Sequence, residues 1–443
     1  MADGGTVDSV DGGRVDVVGG VVAAVVAVVV MGEDAVPVEV SVVHAAVSDT
    51  ATNAAAAARP RDHAGARDDD PAPRSPDMSP CNHGVATLSL MTSSSNGGPR
   101  VGLVGYGGAG RAFHAPLLAR AGLEVAAVAT ANPERAAQVG EDLPGAVVVP
   151  DLAALLATDG IDLVVLASPS GVHVAQAADV VAAGLPVVVD KPLGVDAASA
   201  LEAVDAAARA GVPLTVFQNR RYDPEFRTLA KVVSDGLVGQ VVRAELRWER
   251  WRPVPKQRWR ENAPPEEGGG LLLDLYPHLV DQAHLLFGPI ETVYAELSSL
   301  TTVSEDTAFL SCRHTSGVVS HLGSTALAAA PGPWLRLLGR EAAYVVGGLN
   351  EEPTAFAEWL PSDADHLGWL VGADGEREAV PREPGDQADF YREVAQALAQ
   401  PDPQAAMPVD PRDSVHALAV IDAARTSAQS GRVVEVITPG EAP

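Results

Sequence analysis

Lysine and cysteine are scarce in this chain of 443 residues. Lysine occurs at three positions, Lys191, Lys231 and Lys256, and arginine supplies the other side-chain cations. The two cysteines, Cys81 and Cys312, are too few for a disulfide framework, which is typical of proteins in a reducing compartment. We therefore predict a cytoplasmic protein, and the rarity of lysine makes each remaining one a candidate for a specific role.

Positive charge is also in the minority. The chain has 31 Lys and Arg against 58 Asp and Glu, a formal net charge of -27. A chain this acidic repels the phosphate backbone of nucleic acids, so we predict no nucleic-acid partner. Its length suits two to three domains of roughly 150 residues each.

The first hundred residues lack aromatic residues, lysine and isoleucine altogether. Such a segment cannot bury enough apolar surface to offset the entropy of ordering, so we predict that residues 1–98 are a disordered or spurious extension. The apolar run Val17–Met31 is shorter than the about 20 residues of a membrane span, and aspartates precede it instead of a basic segment. An anchor or export signal is the alternative. Met91 precedes a Ser/Gly-rich stretch, and we hypothesise that translation starts there.

Short apolar runs alternate with Ala-rich stretches between residues 99 and 218. The runs are Val101–Val104, Val125–Ala129, Ala146–Val149, Leu163–Ala167 and Val187–Val189. Their alternation predicts βαβ units and a parallel sheet. A G-x-G-x-x-G pattern follows the first run, comprising Gly105, Tyr106, Gly107, Gly108, Ala109 and Gly110. In this setting the pattern predicts a dinucleotide site, with a tight turn, close backbone approach to the pyrophosphate and a phosphate at the helix N-terminus. Another α/β domain with a glycine turn is the alternative.

The end of the second run indicates which dinucleotide binds. An NAD site usually offers a carboxylate to the ribose there, whereas this run ends in Thr130 and Asn132, with Arg135 close behind. We predict that these three residues bind NADP, with NAD possible. Glu134 is expected to lie inside the next helix and to point elsewhere.

Polar residues follow the fourth and fifth predicted strands, at the edge where open α/β sheets bind ligands. Ser168, Pro169 and His173 follow the fourth strand and are predicted to contact the cofactor. Lys191 follows the fifth within Asp190-Lys191-Pro192, where it could polarise a reacting oxygen and contact the cofactor. A surface lysine in a turn is the alternative.

Three motifs follow one another along the chain, namely the glycine pattern, Asp190-Lys191-Pro192, and the later Gly268-Gly269-Gly270 with Asp274 and His278. Through these motifs, the chain resembles the Gfo/Idh/MocA oxidoreductases from about residue 99 to the C-terminus. The usual tripeptide of that family is Glu-Lys-Pro, so Asp190 is a departure that keeps the lysine. The resemblance is closest to the branch of NADP-dependent scyllo-inositol dehydrogenases. The motifs shared with that branch are Phe113-His114-Ala115-Pro116-Leu117, Asn219-Arg220-Arg221-Tyr222-Asp223, Arg258-Trp259-Arg260 and Asp281-Gln282.

The resemblance implies an α/β protein of two domains. An N-terminal Rossmann domain would span 99–218, and a C-terminal α/β domain with a large, open, mostly antiparallel sheet would span 219–438. The second domain would bind the substrate and pair copies into a homodimer or homotetramer. The resemblance also implies reversible hydride transfer at a secondary alcohol of a cyclitol or sugar.

Lys191, Asp274 and His278 resemble the catalytic residues of the family. Asp274 and His278 are four apart and share one face of a helix. The imidazole of His278 can accept the alcohol proton. Asp274 can orient that imidazole or hold a substrate hydroxyl, and Lys191 can stabilise the alkoxide. A capping Asp and a half-buried His are the alternative. Tyr276 is expected to narrow the pocket, and Pro277 would kink the interior of a helix.

The second domain offers further candidates for contact with the substrate. These are Asn219, Arg220, Arg221, Arg258, Trp259, Arg260 and Tyr276, with structural salt bridges as the alternative for the arginines. In Val241–Trp251, Arg and Glu alternate with apolar residues, which predicts a strand with one solvated, charged face. The glutamates cancel charge there and argue against nucleic-acid binding. The histidines lack metal-ligand spacing, so we predict no metal site.

Two other classes of function remain open for this sequence. One is a non-catalytic regulator that senses a nucleotide, against which the retained Lys191, Asp274 and His278 argue. The other is a redox-assisted glycoside hydrolase, which would recycle its bound cofactor without net turnover.

Overall fold

The computed structural model describes residues 98–256, 258–348 and 359–440, which belong to one compact unit. The predicted extension up to residue 97, with the apolar run 17–31 and the hypothetical start at Met91, lies outside the described residues. Within the described ranges, no helix combines the length and the hydropathy needed to cross a membrane.

The first sheet contains six parallel strands in the order β3-β2-β1-β4-β5-β6. The strands are β1 Val101–Val104, β2 Val125–Ala129, β3 Val147–Val149, β4 Leu163–Leu166, β5 Val187–Asp190 and β6 Leu214–Phe217. Most are valine-rich and fully buried, as expected for strands covered by helices on both faces. The chain order reverses between β1 and β4, so the glycine loop after β1 and the polar loops after β4 and β5 share one edge.

Five helices accompany this sheet. They are α1 Ala115–Arg120, which continues a π-helical turn over Gly110–His114, then α2 Pro133–Asp142, α3 Leu152–Leu156, α4 His173–Ala182 and α5 Ala197–Ala210. Asn132, Asp151 and Asp196 each accept a backbone N–H at the start of α2, α3 and α5. Such side-chain caps explain why these helices begin where they do.

The second sheet contains nine strands in the order β14-β13-β12-β11-β7-β10-β9-β8-β15. The strands are β7 Val241–Glu249, β8 Ile290–Ser298, β9 Thr307–His314, β10 Val319–Thr325, β11 Leu335–Gly339, β12 Ala342–Val346, β13 His366–Gly372, β14 Arg377–Pro381 and β15 Val434–Glu435. The β7–β10 pair is parallel and the other pairs are antiparallel. The predicted fold class, a Rossmann sheet plus a large, mostly antiparallel sheet, is confirmed.

The described residues of this part of the chain form five further helices. They are α6 Pro224–Ser234, α7 Trp259–Asn262, α8 Leu271–Phe287, α9 Ala388–Leu398 and α10 Pro411–Ser430. Helix α8 packs on β9 and β10, and α10 packs on α5, α8 and β8. The apolar core therefore runs from the first sheet to the second.

The outer face of β7 differs from the expected solvated face at Glu245, which is buried. Its carboxylate lies 3.0 Å from Arg243, 2.6 Å from Arg247 and 3.2 Å from Arg336. Burial would raise the pKa of Glu245, but the three guanidinium groups hold it below its ordinary value. Charge pairing across neighbouring strands, which a single strand does not reveal, explains the difference.

Candidate active site

A glycine and a distant glutamate position the first turn of α8. The carbonyl of Glu305 accepts the N–H of Leu271 at 2.9 Å, and its carboxylate accepts the N–H of Leu272 at 3.0 Å. Gly270 adopts φ +92°, and a Cβ there would lie 2.3 Å from the Glu305 carboxylate. Only glycine fits this approach, which fixes where Asp274 emerges.

Lys191 meets Asp274 in this first turn, as the predicted catalytic set requires. The ammonium donates to the Asp274 carbonyl at 2.6 Å and lies 3.4 Å from its carboxylate oxygen Oδ1. Arg260 Nε lies 3.5 Å from the same oxygen. Two cations therefore share one carboxylate next to the carboxyl end of β5.

Burial and charge act in opposite senses on this pair. Burial lowers the pKa of Lys191, the Asp274 carboxylate opposes that shift, and Arg260 adds to it. Burial would raise the pKa of Asp274, but Lys191 and Arg260 bring it below its ordinary value. The carboxylate is therefore ionised at neutral pH.

His278 lies one turn further along α8 and is buried. Its ring centroid is 6.4 Å from that of Trp248. Burial, Lys191 and Arg220 together lower the pKa of His278 well below its ordinary value, so the ring is neutral at pH 7. Nδ1 is buried and has no hydrogen-bond partner among the described residues. A buried polar atom of this kind calls for a ligand group.

The expected contact between Asp274 and His278 does not form within the described part of the chain. The Asp274 carboxylate faces Lys191 and Arg260 instead. Arg220, a predicted candidate for contact with the substrate, lies 4.9 Å over the Trp248 ring beside His278. Its place next to Arg221 in the sequence gives no sign that the two side chains separate.

A buried network supports the backbone of Lys191. The Asp190 carboxylate accepts the Lys191 N–H at 2.8 Å and lies 3.6 Å from His114 Nε2. The other nitrogen of His114 bonds the hydroxyl of Tyr391. Burial would raise the pKa of Asp190, but contact with His114 and the charge of Lys191 hold it low. The Phe113–Leu117 motif thus contributes a side chain behind the lysine, which the sequence reasoning did not foresee.

The glycine loop after β1 has the form of a dinucleotide cradle. Gly105 adopts φ +92°, and a Cβ at Gly110 would lie 2.1 Å from the carbonyl oxygen of Gly105. A Cβ at Gly108 would face open space. The backbone is therefore free to approach a phosphate, and the residues fit a nicotinamide dinucleotide. Tyr106 is buried, with its hydroxyl 3.1 Å from Asp142, which leaves its backbone to the ligand.

The residues predicted to select the cofactor lie beside this loop. Asn132 Oδ1 accepts the Arg135 N–H at 3.0 Å, and Thr130 Oγ1 accepts the Asn132 N–H at 3.3 Å. The guanidinium of Arg135 lies 3.6 Å from the position of a Cβ on Gly107. Glu134 lies inside α2, as expected, and is exposed.

His173 does not fit its predicted contact with the cofactor. Its buried ring bridges two strand ends, with Nδ1 2.8 Å from the Pro192 carbonyl and Nε2 2.8 Å from the Ser168 carbonyl. No ring nitrogen is left for a cofactor, so the residue is structural. Ser168 Oγ bonds Gln176, and Pro169 is exposed.

Tyr276 and Arg221 are also structural, contrary to their prediction as substrate contacts. Tyr276 is fully buried and its hydroxyl donates to the Ala308 carbonyl at 2.6 Å, so it cannot narrow a pocket. Arg221 Nε donates to Asp281 at 2.9 Å, and its NH2 group lies 2.7 Å from Asp413. Helical side-chain direction turns the tyrosine toward the sheet, although sequence spacing alone suggested the pocket.

Of the other predicted substrate contacts, two are paired with protein side chains and one is exposed. Asn219 donates to Gln387 at 3.1 Å, and Arg258 Nε pairs with Glu261 at 3.0 Å. Trp259 is about one-third exposed and lies under the guanidinium of Arg260 at 4.9 Å. Of these three, Trp259 has the most surface left for a ligand.

Pro277 lies within α8, which continues past it to Phe287.

In the described ranges, no group of three or more His, Cys, Asp or Glu side chains is arranged to hold a metal ion.

Comparison with known proteins assigns this arrangement to a class. A model of the oxidoreductase family with an NAD-binding Rossmann fold matches residues 99–218, and a model of the GFO/IDH/MocA C-terminal domain matches residues 226–345. The uncharacterized oxidoreductase YdgJ of Escherichia coli is 35% identical over 316 residues, 68% of this chain and 88% of that protein. The protein is therefore a nicotinamide-dependent oxidoreductase, and its chain belongs to the Gfo/Idh/MocA family.

Two further relatives carry more specific names. The scyllo-inositol 2-dehydrogenase (NADP(+)) IolW of Bacillus subtilis is 28% identical over 349 residues, 76% of this chain and 95% of that protein. The WlbA dehydrogenase of Bordetella pertussis, solved with NADH and UDP-GlcNAcA, superimposes with a TM-score of 0.62. It is 25% identical, and the match covers 77% of this chain and 99% of that one.

Proposed function

We propose that this protein oxidises a secondary alcohol of a cyclitol or sugar and reduces the corresponding ketone, with NADP(H) preferred over NAD(H). The observation that carries the proposal is the meeting of Lys191 with Asp274 one helical turn before a buried, neutral His278. Similarity to IolW supports the class of substrate.

The three side chains have complementary tasks in this reaction. A nicotinamide dinucleotide held by the glycine loop after β1 would supply the hydride acceptor for oxidation and the hydride donor for reduction. His278 takes the alcohol proton onto a ring nitrogen during oxidation and gives it back during reduction. The Lys191 ammonium stabilises the negative charge that develops on the same oxygen. Asp274 positions that ammonium and opposes the lowering of its pKa by burial.

The cofactor preference rests on the loop after β2. It offers hydroxyl, amide and guanidinium groups and lacks the carboxylate that usually binds the ribose of NAD. Arg135, close above Gly107, suits a 2′-phosphate through charge-assisted hydrogen bonds. The name of IolW specifies NADP, whereas WlbA was solved with NADH, so the choice needs a test.

The first experiment measures reduction of NADP⁺ and NAD⁺ by the full chain across inositols and aldoses, from the absorbance of the reduced nicotinamide. We expect turnover with at least one polyol and a higher kcat/KM with NADP⁺. Cleavage of a glycoside without net reduction of the cofactor would support redox-assisted hydrolysis instead. If the protein binds NADPH but neither reaction occurs, the proposed substrate class is wrong.

A second experiment tests Arg135 directly. The substitution Arg135→Ser should raise the KM for NADPH about 10- to 100-fold and leave that for NADH unchanged, because one charge-assisted hydrogen bond contributes roughly 1.5–3 kcal/mol. Arg209→Ser, at the exposed end of α5, serves as the matched control. An equal effect on both cofactors would show that Arg135 does not read the phosphate.

Assembly and location are further parts of this proposal. A homodimer or homotetramer, paired through the open second sheet, stays a prediction, as does a cytoplasmic location. The outer face of that sheet exposes Phe309 on β9, which pairing would cover.

A further inference from the structure

Among the described residues, the guanidinium of Arg250 lies at the edge of the active site without an ion-pair partner. Along the inner face of β7, Leu246 and Trp248 point toward the body of the domain, and Arg250 follows at the same spacing. Trp248 lies against His278, so Arg250 continues that face past the predicted base. It is half-buried, and its guanidinium makes no hydrogen bond or ion pair with any residue in the described ranges.

The other cations near the site fall into two groups. Arg258 forms an ion pair with Glu261, and Arg220 forms an ion pair with Asp223 at 2.7 Å. Lys191 and Arg260, by contrast, share the single Asp274 carboxylate at 3.4 and 3.5 Å. The charge of Arg250 also helps to lower the pKa of Asp274, so the charges of these three cations exceed that of the one carboxylate.

This excess stands out against the rest of the chain. The protein carries a net charge of -27, and three arginines of the outer sheet face surround Glu245. The nitrogens of Arg250 are not among the buried polar atoms that lack a partner, so an incoming anion can reach them and form charge-assisted hydrogen bonds. The hydroxyl groups of a neutral polyol cannot supply that charge.

Building on the proposed function, we propose that the substrate carries an anionic group, a carboxylate or a phosphate ester, and that Arg250 binds this group. Arg260, stacked over Trp259, is its second partner. Arginine presents a planar fork of donors that matches both kinds of oxyanion. The alcohol carbon then lies between Lys191 and His278, with the anion toward the end of β7.

The test compares matched pairs of compounds with the full chain and NADP⁺. D-glucuronate is compared with D-glucuronamide, and glucose 6-phosphate with glucose, so that each pair differs by the anionic group. Binding to the enzyme–NADPH complex is measured by calorimetry, and kcat/KM is measured wherever turnover occurs. We expect the anionic member of at least one pair to bind about 10- to 100-fold more tightly. The pair that responds identifies carboxylate or phosphate.

Variants on one strand then assign the effect to a side chain. Arg250→Gln should abolish the preference for the anion and leave affinity for the neutral member unchanged, while Arg250→Lys should retain part of it. Arg243→Gln is the matched control, because it removes a cation from the outer face of the same strand. Thermal unfolding verifies that each variant is folded.

The outcomes separate this inference from the proposed function. Tight binding of an anion without hydride transfer supports the inference and contradicts the reaction. Turnover of neutral polyols with equal or weaker binding of their anionic counterparts supports the reaction and overturns the inference. An anion preference that Arg250→Gln leaves intact also overturns it. Failure of every member of both pairs to bind overturns the inference as well, while the reaction is decided by the panel of inositols and aldoses.

Discussion

Helix α8 carries two ion clusters with opposite charge balance. The first-turn cluster consists of Lys191, Arg260 and Asp274, and the Arg221 cluster consists of Arg221, Asp281 and Asp413. Asp274 and Asp281 are seven residues apart and share one helix face. Two cations face one carboxylate at one position, and one cation faces two carboxylates at the other.

The two clusters also differ in how tightly they close. Arg221 makes hydrogen bonds to both of its carboxylates, and the Asp281 side chain is only 2% exposed. In the first-turn cluster the cations stand 3.4 and 3.5 Å from Asp274, and Arg260 remains one-third exposed. A closed cluster holds the fold together, whereas a loose one with excess charge can act on another molecule.

The largest expected effect is a loss of turnover when Lys191 of the first-turn cluster is removed. Lys191→Ala should lower kcat for the active polyol about 10²- to 10³-fold, because the developing negative charge loses its main partner. NADPH binding and the thermal midpoint should stay close to wild type. His278→Ala should likewise remove turnover by deleting the base.

Steady-state kinetics and calorimetry with NADPH provide the measurements, and Lys231→Ala is the control. Lys231 is exposed and pairs with Asp235 on α6, away from the site. Normal rates in Lys191→Ala or His278→Ala would remove that residue from the mechanism.

Breaking the Arg221 cluster should affect stability before activity. Arg221→Ala leaves two carboxylates without their cation, one of them deeply buried, and should lower the free energy of unfolding by about 3–5 kcal/mol. Burial already raises the pKa of Asp281, because little water reaches the ionised carboxylate to stabilise it without Arg221. Urea unfolding measures the loss, and Arg340→Ala at an exposed position is the control. A stable variant with a raised substrate KM would restore Arg221 as a substrate contact.

The smallest expected effect concerns the pH profile of alcohol oxidation. Arg220 helps to lower the pKa of His278, so Arg220→Gln should raise that pKa. Because the base must be unprotonated, activity is lost as pH falls through this pKa. The acidic limb of kcat/KM should therefore move to higher pH by up to about one unit.

Arg227→Gln is the matched control for this profile. Arg227 also lies over an aromatic ring and pairs with a carboxylate, but its ring is Tyr222 and it does not act on His278. A limb that does not move in Arg220→Gln, or moves equally in both variants, would contradict the assignment of His278 as the base.

Local signals predicted the first sheet well. Buried valine runs and a glycine turn are short-range patterns, and five of the six strands were placed within a residue of their observed ends. The strand Leu214–Phe217 was not identified separately. The second sheet was expected from family resemblance, because pairing of distant antiparallel strands leaves little trace in any one segment.

The site shows where sequence reasoning stopped. Lys191 contacts Asp274 one helical turn before His278, while Tyr276 turns into the core and His173 bridges two strand ends. Spacing along a helix gives a face, but which face meets the sheet depends on packing. Arg250 could have been found from its alternation with Trp248, which puts it on the inner face.

The sequence by itself determined the dinucleotide cradle, the lysine after the fifth strand and the i, i+4 pair on α8, because each depends on residues close in the chain. Tertiary structure alone decided which arginines are closed by carboxylates. Arg220 and Arg221 are neighbours, yet one stacks on Trp248 and the other binds carboxylates 60 and 192 residues away. Charge pairing acts through space, so only the folded chain separates a structural cation from one free to bind a substrate.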